Sequence, residues 1–532
     1  MRLARRYLGS WIAVAALLAG DAVAAGAQPR ATPRRSTASA RTKAAAPNKK
    51  VVPAARRGRR RPPPPPPLLA TTPWGAASLA SDLNALLDQR VKTGTWGVLV
   101  TSLTRGDTLF ARQADTPLMP ASTQKLFTTV LAFDRLGPWH QLNTDVLRVG
   151  SVDADGTLRG SLVLRGGGDP ALAGRFLGGT PESPMAVLAQ MVLNAGVKRV
   201  TGDIIADASA FEARRIPDGW LARYLNDSYA ARVSALSLNA NLLHVAVTPV
   251  RGRATPSITL RPALGGVKVV NQAKVRGTGR SARLSISRTK DGTVVAKGWI
   301  GGRSQPRVYT VVVEDPSQFA ASAFRSALIA AGIEVDGVVR AEATPTGASR
   351  VATLSSPPLT QLARVMNGES DNHFAELLLR AAARGPDGAA VGSAQLADEQ
   401  LDMLLRERAG LAPHAIQIKD GSGLSSLNRV TPRALTNLLA YASRAPWSRE
   451  FEQSLPIAGT SETLRSRMIN TPAQGNLHAK TGTTGDVVSL GGYVTSRSGE
   501  RLAFAFLYNG QERWNARETI DAMGATLAGF AR

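Results

Sequence analysis

A serine and a lysine three residues apart could form a nucleophile and its base in this chain. Ser122 and Lys125 precede apolar residues at helical spacing, so both are predicted to lie on one face of a helix start. A lysine amine can take the serine proton if burial or a neighbouring cation keeps it partly neutral. The partial positive charge of the helix N-terminus would also stabilise an oxyanion formed there.

Two later motifs could complete such a site. The triplet Ser370–Asn372 (Ser-Asp-Asn) begins a predicted helix, where Ser and Asn are also common capping residues. Capping is the plainer interpretation of this triplet when it is taken alone. The triplet Lys480–Gly482 (Lys-Thr-Gly) begins a predicted late strand that could bind a substrate carboxylate. Its glycine would let the substrate backbone approach closely.

Each motif also occurs elsewhere, so the setting decides between the copies. Ser287–Lys290 fits Ser-x-x-Lys, but it lies in an alternating stretch before an Asp-Gly turn, where Ser and Lys would point to opposite faces. Lys92–Gly94 reads Lys-Thr-Gly, but it precedes the nucleophile and joins a helix to the first strand. Ser237–Asn239 and Ser426–Asn428 read Ser-x-Asn without a catalytic partner. We set these four copies aside.

The elements around the motifs predict an α+β fold. The stretch from Thr144 to about Val313 is rich in Val, Gly and Thr in alternating runs, which predicts a mostly β insertion. Helices and an antiparallel sheet split by this insertion form the predicted catalytic domain, over 73–143 and 314–532. The sequence predicts helices over 79–87, 126–133, 320–331, 359–366, 372–383, 396–405 and 516–530, a hairpin over 96–111 and a meander over 479–508.

The N-terminus has the pattern of an export signal. Residues 1–27 carry three early arginines, an apolar run and then small residues, with a cleavage site predicted after Ala24 or Ala27. The alternative is a membrane anchor, but the apolar run is short for a membrane span. We therefore predict a removed signal peptide and an exported protein of the periplasm or cell envelope.

A basic, proline-rich segment follows the signal. Residues 28–67 hold twelve Lys and Arg and no acidic residue, and they end in six prolines. Such a segment cannot form a core, so we predict a disordered tether over 28–72. It could make weak contact with anionic envelope polymers or a membrane surface, although a solvated spacer is the plainer interpretation. An exported protein rarely meets nucleic acid, so no nucleic-acid partner is predicted.

Composition excludes several kinds of chemistry. The chain has a net charge of +26 and no cysteine, which rules out thiolate, iron–sulfur and Cys-zinc sites. Its five histidines lack His-x-x-x-His spacing, so we predict no metal and no organic cofactor. His373 and His478 lie near two of the motifs, but a lone histidine is more often a packing or hydrogen-bonding residue.

The order of the three motifs is that of penicillin-binding proteins and class A β-lactamases. Further segments extend this resemblance to the D-alanyl-D-alanine carboxypeptidase/D-alanyl-D-alanine-endopeptidase family, the low-molecular-mass class C penicillin-binding proteins. The resemblance runs from about Leu79 to the C-terminus, and the long gap between Lys125 and Ser370 is typical of that family. The segments are Leu164–Pro170, Gly202–Ile205, Ser234–Asn239, Asp420–Ser425 and Leu455–Gly459.

The resemblance implies a β-lactamase/transpeptidase-like catalytic core and a serine DD-peptidase that acts on peptidoglycan. Ser122 would attack the D-Ala–D-X carbonyl to give an acyl-enzyme, and Lys125 would take its proton. Ser370 would relay a proton to the leaving amine, with Lys480 supporting its charge. Asn372 would hydrogen-bond the substrate amide or orient the lysine. Terminal D-Ala removal and cross-link cleavage use the same residues, so the sequence does not separate carboxypeptidase from endopeptidase.

The late strand would bind the substrate. By the same resemblance, Lys480 and Thr481 would hold the terminal carboxylate, and Gly482 and Thr483 would line the site. The backbone N–H groups of Ser122 and Thr483 would form the oxyanion hole. The implied partners are peptidoglycan stem peptides, with β-lactam antibiotics as acylating inhibitors.

Two alternatives remain open at this point. The first is a β-lactamase or esterase on the same fold, which needs a deacylating base, and Glu376, Glu399 and Glu407 lie in the relevant part of the chain. The second is a non-catalytic scaffold that binds the cell wall, whose signature would be a broken set of motifs.

Overall fold

A computed structural model of the chain describes residues 68–264, 267–289 and 291–532. The predicted signal peptide and residues 28–67 of the predicted tether lie outside these residues. Residues 68–72, the end of the predicted tether, lie against the C-terminal helix. There the Thr71 amide donates to Thr526 Oγ1 at 3.2 Å, and Trp74 forms a β-bridge with Ala531. The end of the predicted tether is therefore part of the folded structure.

The described residues form helices wherever the sequence predicted one, and three further helices, α3, α8 and α9. They are α1 (Ala76–Arg90), α2 (Lys125–Leu136), α3 (Ser183–Asn194), α4 (Pro316–Ala330), α5 (Leu359–Gly368), α6 (Asn372–Arg384), α7 (Ala394–Ala409), α8 (Pro432–Ala442), α9 (Ser448–Gln453) and α10 (Arg513–Gly529). Among the described residues, none of these helices is both long and apolar enough to cross a membrane.

The strands of the described residues are numbered in chain order. They are β1 (Thr95–Ser102), β2 (Thr108–Arg112), β3 (Asn143–Val152), β4 (Thr157–Gly166), β5 (Arg199–Val200), β6 (Ile204–Asp207), β7 (Leu242–Thr248), β8 (Ser257–Arg261), β9 (Val269–Asn271), β10 (Lys274–Arg276), β11 (Ala282–Arg288), β12 (Val294–Gly301), β13 (Arg307–Val312), β14 (Glu334–Val335), β15 (Val339–Ala341), β16 (Ser349–Ser355), β17 (Ile416–Gln417), β18 (Arg429–Val430), β19 (His478–Thr483), β20 (Val487–Thr495) and β21 (Arg501–Asn509).

One five-stranded antiparallel sheet joins the two ends of the folded chain. Its strand order is β19-β20-β21-β1-β2, and β1 pairs with β21 from Thr95↔Asn509 to Ser102↔Leu502. The predicted hairpin and the predicted C-terminal meander are therefore parts of the same sheet. The strand β19 lies at an edge of this sheet and packs against the 3-10 helix Ala121–Gln124, which precedes α2.

Alternate residues of β21 face two different cores, because successive side chains of a strand point to opposite faces. Phe504 and Phe506 are fully buried in the core formed with α1 and α10. Ala503 and Ala505 are buried in the larger core formed with α2, α6 and α8. The sheet is thus the middle layer of a helix–sheet–helix arrangement, and α2 is enclosed between the sheet and α6.

The part of the chain between α2 and α5 forms separate sheets. A seven-stranded sheet contains β3–β6 and β14–β16, and it packs with α3 and α4 around an apolar core. A three-stranded sheet follows the order β13-β7-β8, and a four-stranded sheet contains β9–β12. The strand content agrees with a mostly β insertion, although α3 and α4 are integral parts of its core.

The strand pairing extends this inserted part beyond the predicted boundary at residue 313. The elements α4, β14, β15 and β16 all come later in the chain, and β16 pairs with β3 so that Ser355 lies opposite Asn143. We therefore propose an inserted part over residues 143–355, with the catalytic domain resuming near residue 356. Alternation alone could not place this boundary, because α4 has the same helical pattern as the helices of the catalytic domain.

Candidate active site

Ser122 lies in a short 3-10 helix, Ala121–Gln124, that leads directly into α2. In a 3-10 turn, residues i and i+3 lie above one another. Ser122 and Lys125 therefore share one side of the helix start, as the sequence predicted, and Lys125 Nζ lies 2.9 Å from Ser122 Oγ. Ser122 itself is half-buried, which leaves its hydroxyl within reach of a ligand in the cleft.

The Lys125 ammonium donates to three oxygen atoms that belong to three separate segments of the chain. Its Nζ donates to Ser122 Oγ at 2.9 Å, to Asn372 Oδ1 at 2.7 Å and to the Ser422 carbonyl at 2.8 Å. An ammonium has three donors, so all three are satisfied. The side chain is fully buried, and this buried charge is tolerated because each donor has a partner.

Burial lowers the pKa of Lys125 from its ordinary value of 10.5 to about 8. The carboxylates of Asp420, Glu376 and Asp371 favour the charged form and oppose part of this decrease. At pH values near 8, a large fraction of the lysine is therefore neutral, as a general base must be. Of the two causes considered from the sequence, burial dominates, and a neighbouring cation is not among the causes of this pKa decrease.

The three residues of the Ser370–Asn372 triplet have different roles, which the sequence did not predict. Asp371 is the N-cap of α6, with its side chain accepting from the Phe374 amide at 3.1 Å. The capping interpretation thus applies to the middle residue, and Asn372 is left to contact Lys125. Ser370 has a φ of +60°, a conformation that costs energy for a residue other than glycine and that often occurs at functional sites.

Lys480 lies in β19 and reaches the second serine. Its Nζ donates to Ser370 Oγ at 2.9 Å and to the Thr481 carbonyl at 2.8 Å. The pKa of Lys480 lies well below its ordinary value, first because the side chain is fully buried and second because Lys125 carries like charge nearby. Two lysines in one buried site disfavour each other's protonated forms, so the site does not readily hold two full positive charges.

Gly482 has a packing role that the sequence did not predict. A Cβ at this position would overlap Ser489 Oγ and would lie 2.9 Å from the Ser122 backbone nitrogen. The glycine is therefore required so that β19 can lie against the 3-10 helix. Thr481 is half-buried beside it, and Thr483 is exposed at the end of the strand.

The loop Asp420–Ser425 provides the third acceptor for Lys125. In the sequence, this segment served only to identify the family. Asp420 is fully buried, and its carboxylate accepts from the Gly423 amide at 2.8 Å and from the Ser425 amide at 2.7 Å. These bonds fold the loop so that the Ser422 carbonyl points at Lys125 Nζ. The Asp-Gly-Ser-Gly sequence is a turn signal, but the target of its carbonyl depends on tertiary structure.

Glu376 supports the same loop from α6. Its Oε1 accepts from the Ser422 amide at 2.9 Å, and its Oε2 pairs with Arg380 at 2.9 Å. Burial raises the pKa of Glu376, with the nearby Asp420 charge as the second cause. Both carboxylate oxygens are thus used inside the protein. Glu399 and Glu407, the other acids considered for deacylation, are exposed on α7.

The inserted part of the chain contributes to the site. The Tyr229 carbonyl accepts from Asn372 Nδ2 at 2.9 Å, which turns Asn372 Oδ1 toward Lys125. Trp220 Nε1 donates to Asp420 at 2.8 Å, so the same segment is also fixed to the loop behind the lysine. A cavity of about 100 Å³ lies between this segment, at Arg223 and Tyr224, and Ala121, the residue before the nucleophile.

The four other motif copies lie apart from this cluster. Ser287 is in β11, and Lys290 is outside the described residues. The Lys92 and Thr93 amides both donate to Glu512 in a loop before β1. The Ser237 hydroxyl donates to the Ser234 carbonyl, and that of Ser426 to the Gly219 carbonyl.

Histidine does not contribute to the cluster. Burial lowers the pKa of His373 to about 4, which leaves a neutral packing residue in α6. His478 lies 3.8 Å from Glu452 at the start of β19. Within residues 68–264, 267–289 and 291–532, no group of three or more His, Cys, Asp or Glu side chains is placed to hold a metal ion.

The chain belongs to the D-Ala-D-Ala carboxypeptidase 3 (S13) family, whose model matches residues 79–529. It is 31% identical over 471 residues to a D-alanyl-D-alanine carboxypeptidase of Actinomadura sp. (strain R39), covering 85% of each chain. It is 27% identical over 433 residues to the D-alanyl-D-alanine carboxypeptidase DacB of Haemophilus influenzae, covering 80% of this chain and 87% of that one.

The fold is similar to that of solved penicillin-binding proteins. The crystal structure of penicillin binding protein 4 (dacB) from Haemophilus influenzae matches with a TM-score of 0.70 at 24% identity, over 82% of this chain and 98% of that one. A complex of the same protein with a novel β-lactam matches with a TM-score of 0.65 at 25% identity, over 81% and 93% of the two chains. The predicted family, fold class and serine DD-peptidase activity are confirmed.

The packing at Gly482 gives a first testable prediction. We expect Gly482→Ala to push β19 away from Ser122 and to destabilise the protein by about 1–3 kcal/mol, with slower acylation by penicillin. The matched control is Gly485→Ala, because a Cβ there would meet only Arg223 at 3.9 Å. Thermal unfolding and acylation rates of both variants test this, and equal behaviour of the two would contradict it.

Proposed function

We propose that Ser122 is the nucleophile of this DD-peptidase and that Lys125 is the base that activates it. The observation that carries the proposal is the geometry around Lys125 Nζ. When the ammonium loses one proton, Asn372 Oδ1 and the Ser422 carbonyl retain the other two, because both atoms can only accept. The lone pair is then left facing Ser122 Oγ.

In the first half of the reaction, Lys125 Nζ takes the Ser122 hydroxyl proton as Oγ bonds to the carbonyl carbon of the D-Ala–D-X bond. The negative charge passes to the carbonyl oxygen. The Ser122 and Thr483 backbone N–H groups are the proposed donors to that oxygen. The closeness of the Ser122 nitrogen to Gly482, the neighbour of Thr483 in β19, supports this pairing.

Collapse of the tetrahedral intermediate breaks the carbon–nitrogen bond and requires a proton on the leaving amine. We assign its delivery to Ser370, which gives its hydroxyl proton to the amine and is reprotonated from Lys125. Ser370 Oγ accepts a hydrogen bond from Lys480, so its own proton is free to be donated. Water then attacks the acyl carbonyl carbon and gives its proton to the neutral Lys125 amine. The bond from that carbon to Ser122 Oγ breaks, Lys125 returns the proton to Oγ, and the shortened peptide leaves with a new terminal carboxyl group.

The substrate carboxylate is assigned to the end of β19. Lys480 uses two of its three donors on Ser370 and Thr481, so among the described residues one N–H remains without a protein acceptor. We propose that this N–H, the Thr481 hydroxyl and the Thr483 hydroxyl bind the terminal carboxylate. β-Lactams present a similar carboxylate and a strained amide, so they are proposed to acylate Ser122.

The two alternatives are less well supported. A β-lactamase needs a dedicated deacylating base, such as the glutamate of class A enzymes, but the two Glu376 oxygens are bonded to Ser422 and Arg380. A non-catalytic scaffold would not need the Lys125 hydrogen bonds to Ser122 and to Asn372 of the second motif. We further propose that the inserted segment with Tyr229 limits which stem peptides reach Ser122.

We also propose that residues 1–27 direct export of the chain and that the protein is retained in the periplasm or cell envelope.

Labelling with a fluorescent penicillin tests the assignment of the nucleophile. We expect one adduct, located on Ser122 by peptide mass mapping, and none in Ser122→Ala, because Ser122 Oγ is the hydroxyl that the Lys125 lone pair faces. The matched control is Ser287→Ala, the serine of the other Ser-x-x-Lys copy, which should label normally.

Three outcomes would contradict that account. An adduct that persists in Ser122→Ala would remove Ser122 as the nucleophile. Rapid turnover of the antibiotic would favour the β-lactamase. If the wild type and Ser122→Ala bind wall fragments equally well and the wild type cleaves none, the result would favour the scaffold.

The pH dependence of acylation tests the role of Lys125. Because the neutral amine is the active form, the acylation rate should rise with pH, by about tenfold per unit well below the pKa, and level off above about pH 8. Stopped-flow acylation of the wild type over about pH 6–10 measures this. A rate that is flat across that range would contradict the assignment of Lys125 as base.

A further inference from the structure

The positive charge of the folded chain is concentrated in one segment. Residues 251–307 contain thirteen Lys and Arg, and Asp291 is their only acidic residue, so the segment carries +12. Residues 68–532 as a whole also carry +12, so the remainder of the folded chain is neutral. An even distribution of charge would not give this result, and the segment has no part in the catalytic cluster.

Within this segment, the strand register places cations side by side on one face of the β9–β12 sheet. Lys274 of β10 and Arg283 of β11 are both paired with Trp299 of the central strand β12. Paired residues of neighbouring strands point to the same side, and so do residues two apart along a strand. Arg276 and Lys297 are therefore on that side as well. We call these five residues the basic face.

The opposite side of the sheet accounts for its folding. Val294, Ala296 and Ile300 of β12 are buried there, and Leu284 and Ile286 of β11 are half-buried. Burial of these apolar side chains thus determines which face of the sheet packs against the protein, and the cations on the other face lie in solvent. Lys274, Arg276, Arg283 and Lys297 are all exposed, and the half-buried Trp299 lies between two of them.

In the part of the chain that the structure describes, no acidic side chain neutralises the basic face. Among the described residues, none of its four cations forms an ion pair, and Asp291 is instead bonded to Thr289 and Thr293. Arg261, in the adjacent sheet, is paired with Glu182. Like charges on neighbouring strands repel each other, so this arrangement costs stability unless an anion outside the chain offsets it.

We infer that the basic face binds the wall polymer itself, through the carboxylates of its stem peptides and the sugar rings of its glycan. This inference rests on the proposed function, because it takes the polymeric substrate as the ligand. Each stem peptide ends in a carboxylate, and removal of a terminal D-alanine leaves another. The polymer is therefore anionic before and after cleavage, and the indole of Trp299 offers a flat apolar surface for a sugar ring.

The composition of the surface favours this polymer over a lipid membrane. Proteins that insert into a bilayer interface carry protruding apolar or aromatic side chains beside their cations. In the described part of residues 251–307, no large hydrophobic side chain is highly exposed, and Trp299 is half-buried. The basic face therefore suits a ligand that lies along its surface.

The test measures binding to purified peptidoglycan sacculi by sedimentation, in the Ser122→Ala full chain so that the polymer is not digested. The variant replaces Lys274, Arg283 and Lys297 with Gln. We expect it to bind about tenfold more weakly, since three exposed cations each contribute modestly. The affinity of the unaltered face should also fall as salt is added.

A matched control removes the same charge elsewhere. Arg444, Arg449 and Arg497 are exposed on the catalytic domain and form no ion pair among the described residues, so their replacement with Gln should leave binding unchanged. A second pair separates stacking from charge. Trp299→Leu should weaken binding, whereas Trp514→Leu, at a position that is 65% exposed on α10, should not.

Hydrolysis of a soluble D-Ala–D-Ala peptide separates this inference from the proposed function. In an otherwise wild-type chain, the Lys274, Arg283 and Lys297 variant should cleave the soluble peptide normally and act more slowly on sacculi. Unchanged binding to sacculi, or an equal loss in the control, would overturn the inference whatever the peptide activity is. Binding to anionic lipid vesicles but not to sacculi, lost in the same variant, would overturn it in favour of a membrane.

Discussion

The whole site depends on one buried ammonium group that has three acceptors. Lys125 Nζ meets Ser122 Oγ, Asn372 Oδ1 and the Ser422 carbonyl, and these atoms come from positions up to 300 residues apart in the chain. A lysine in a dry site is costly when charged, so it titrates close to neutrality instead of near its ordinary pKa. Burial of Lys125 therefore lowers the stability of the folded protein, but it also lowers the lysine pKa so that the amine can act as a base. The cost is limited because two of the acceptors are themselves held rigidly by further hydrogen bonds.

The surrounding structure can be understood as support for those acceptors. The Asp420 carboxylate accepts backbone hydrogen bonds that fold the loop carrying the Ser422 carbonyl. The Glu376 carboxylate accepts from the Ser422 amide, and Arg380 forms an ion pair with Glu376. On the other side, the Tyr229 carbonyl fixes the Asn372 amide, so the inserted part of the chain is connected directly to the catalytic cluster. The edge strand β19 closes the arrangement, and only a glycine at position 482 allows it to approach the nucleophile. The inserted part therefore helps to position Asn372 in the catalytic cluster.

The sequence predicted the three motifs, their order, the α+β class and seven of the helices, because each has a local signal in residue type or periodicity. It did not predict what depends on distant contacts. The capping residue of α6 is Asp371 rather than its neighbours, and Gly482 is needed for the packing of β19 against the 3-10 helix. The inserted sheet also continues to Ser355, because strand pairing, not alternation, defines its end. The Ser422 carbonyl carries no side-chain signal at all, so only the folded loop identifies it as an acceptor.

The most direct test of this account is the pKa of Lys125, measured by NMR titration of the wild-type protein with carbon-13 at the lysine Cε and the signal assigned by its loss in Lys125→Arg. The account predicts a midpoint near 8, since burial outweighs the nearby carboxylates. A midpoint near the ordinary value of 10.5 would contradict it, because the lysine would then be almost fully protonated at the pH where the enzyme must accept a proton.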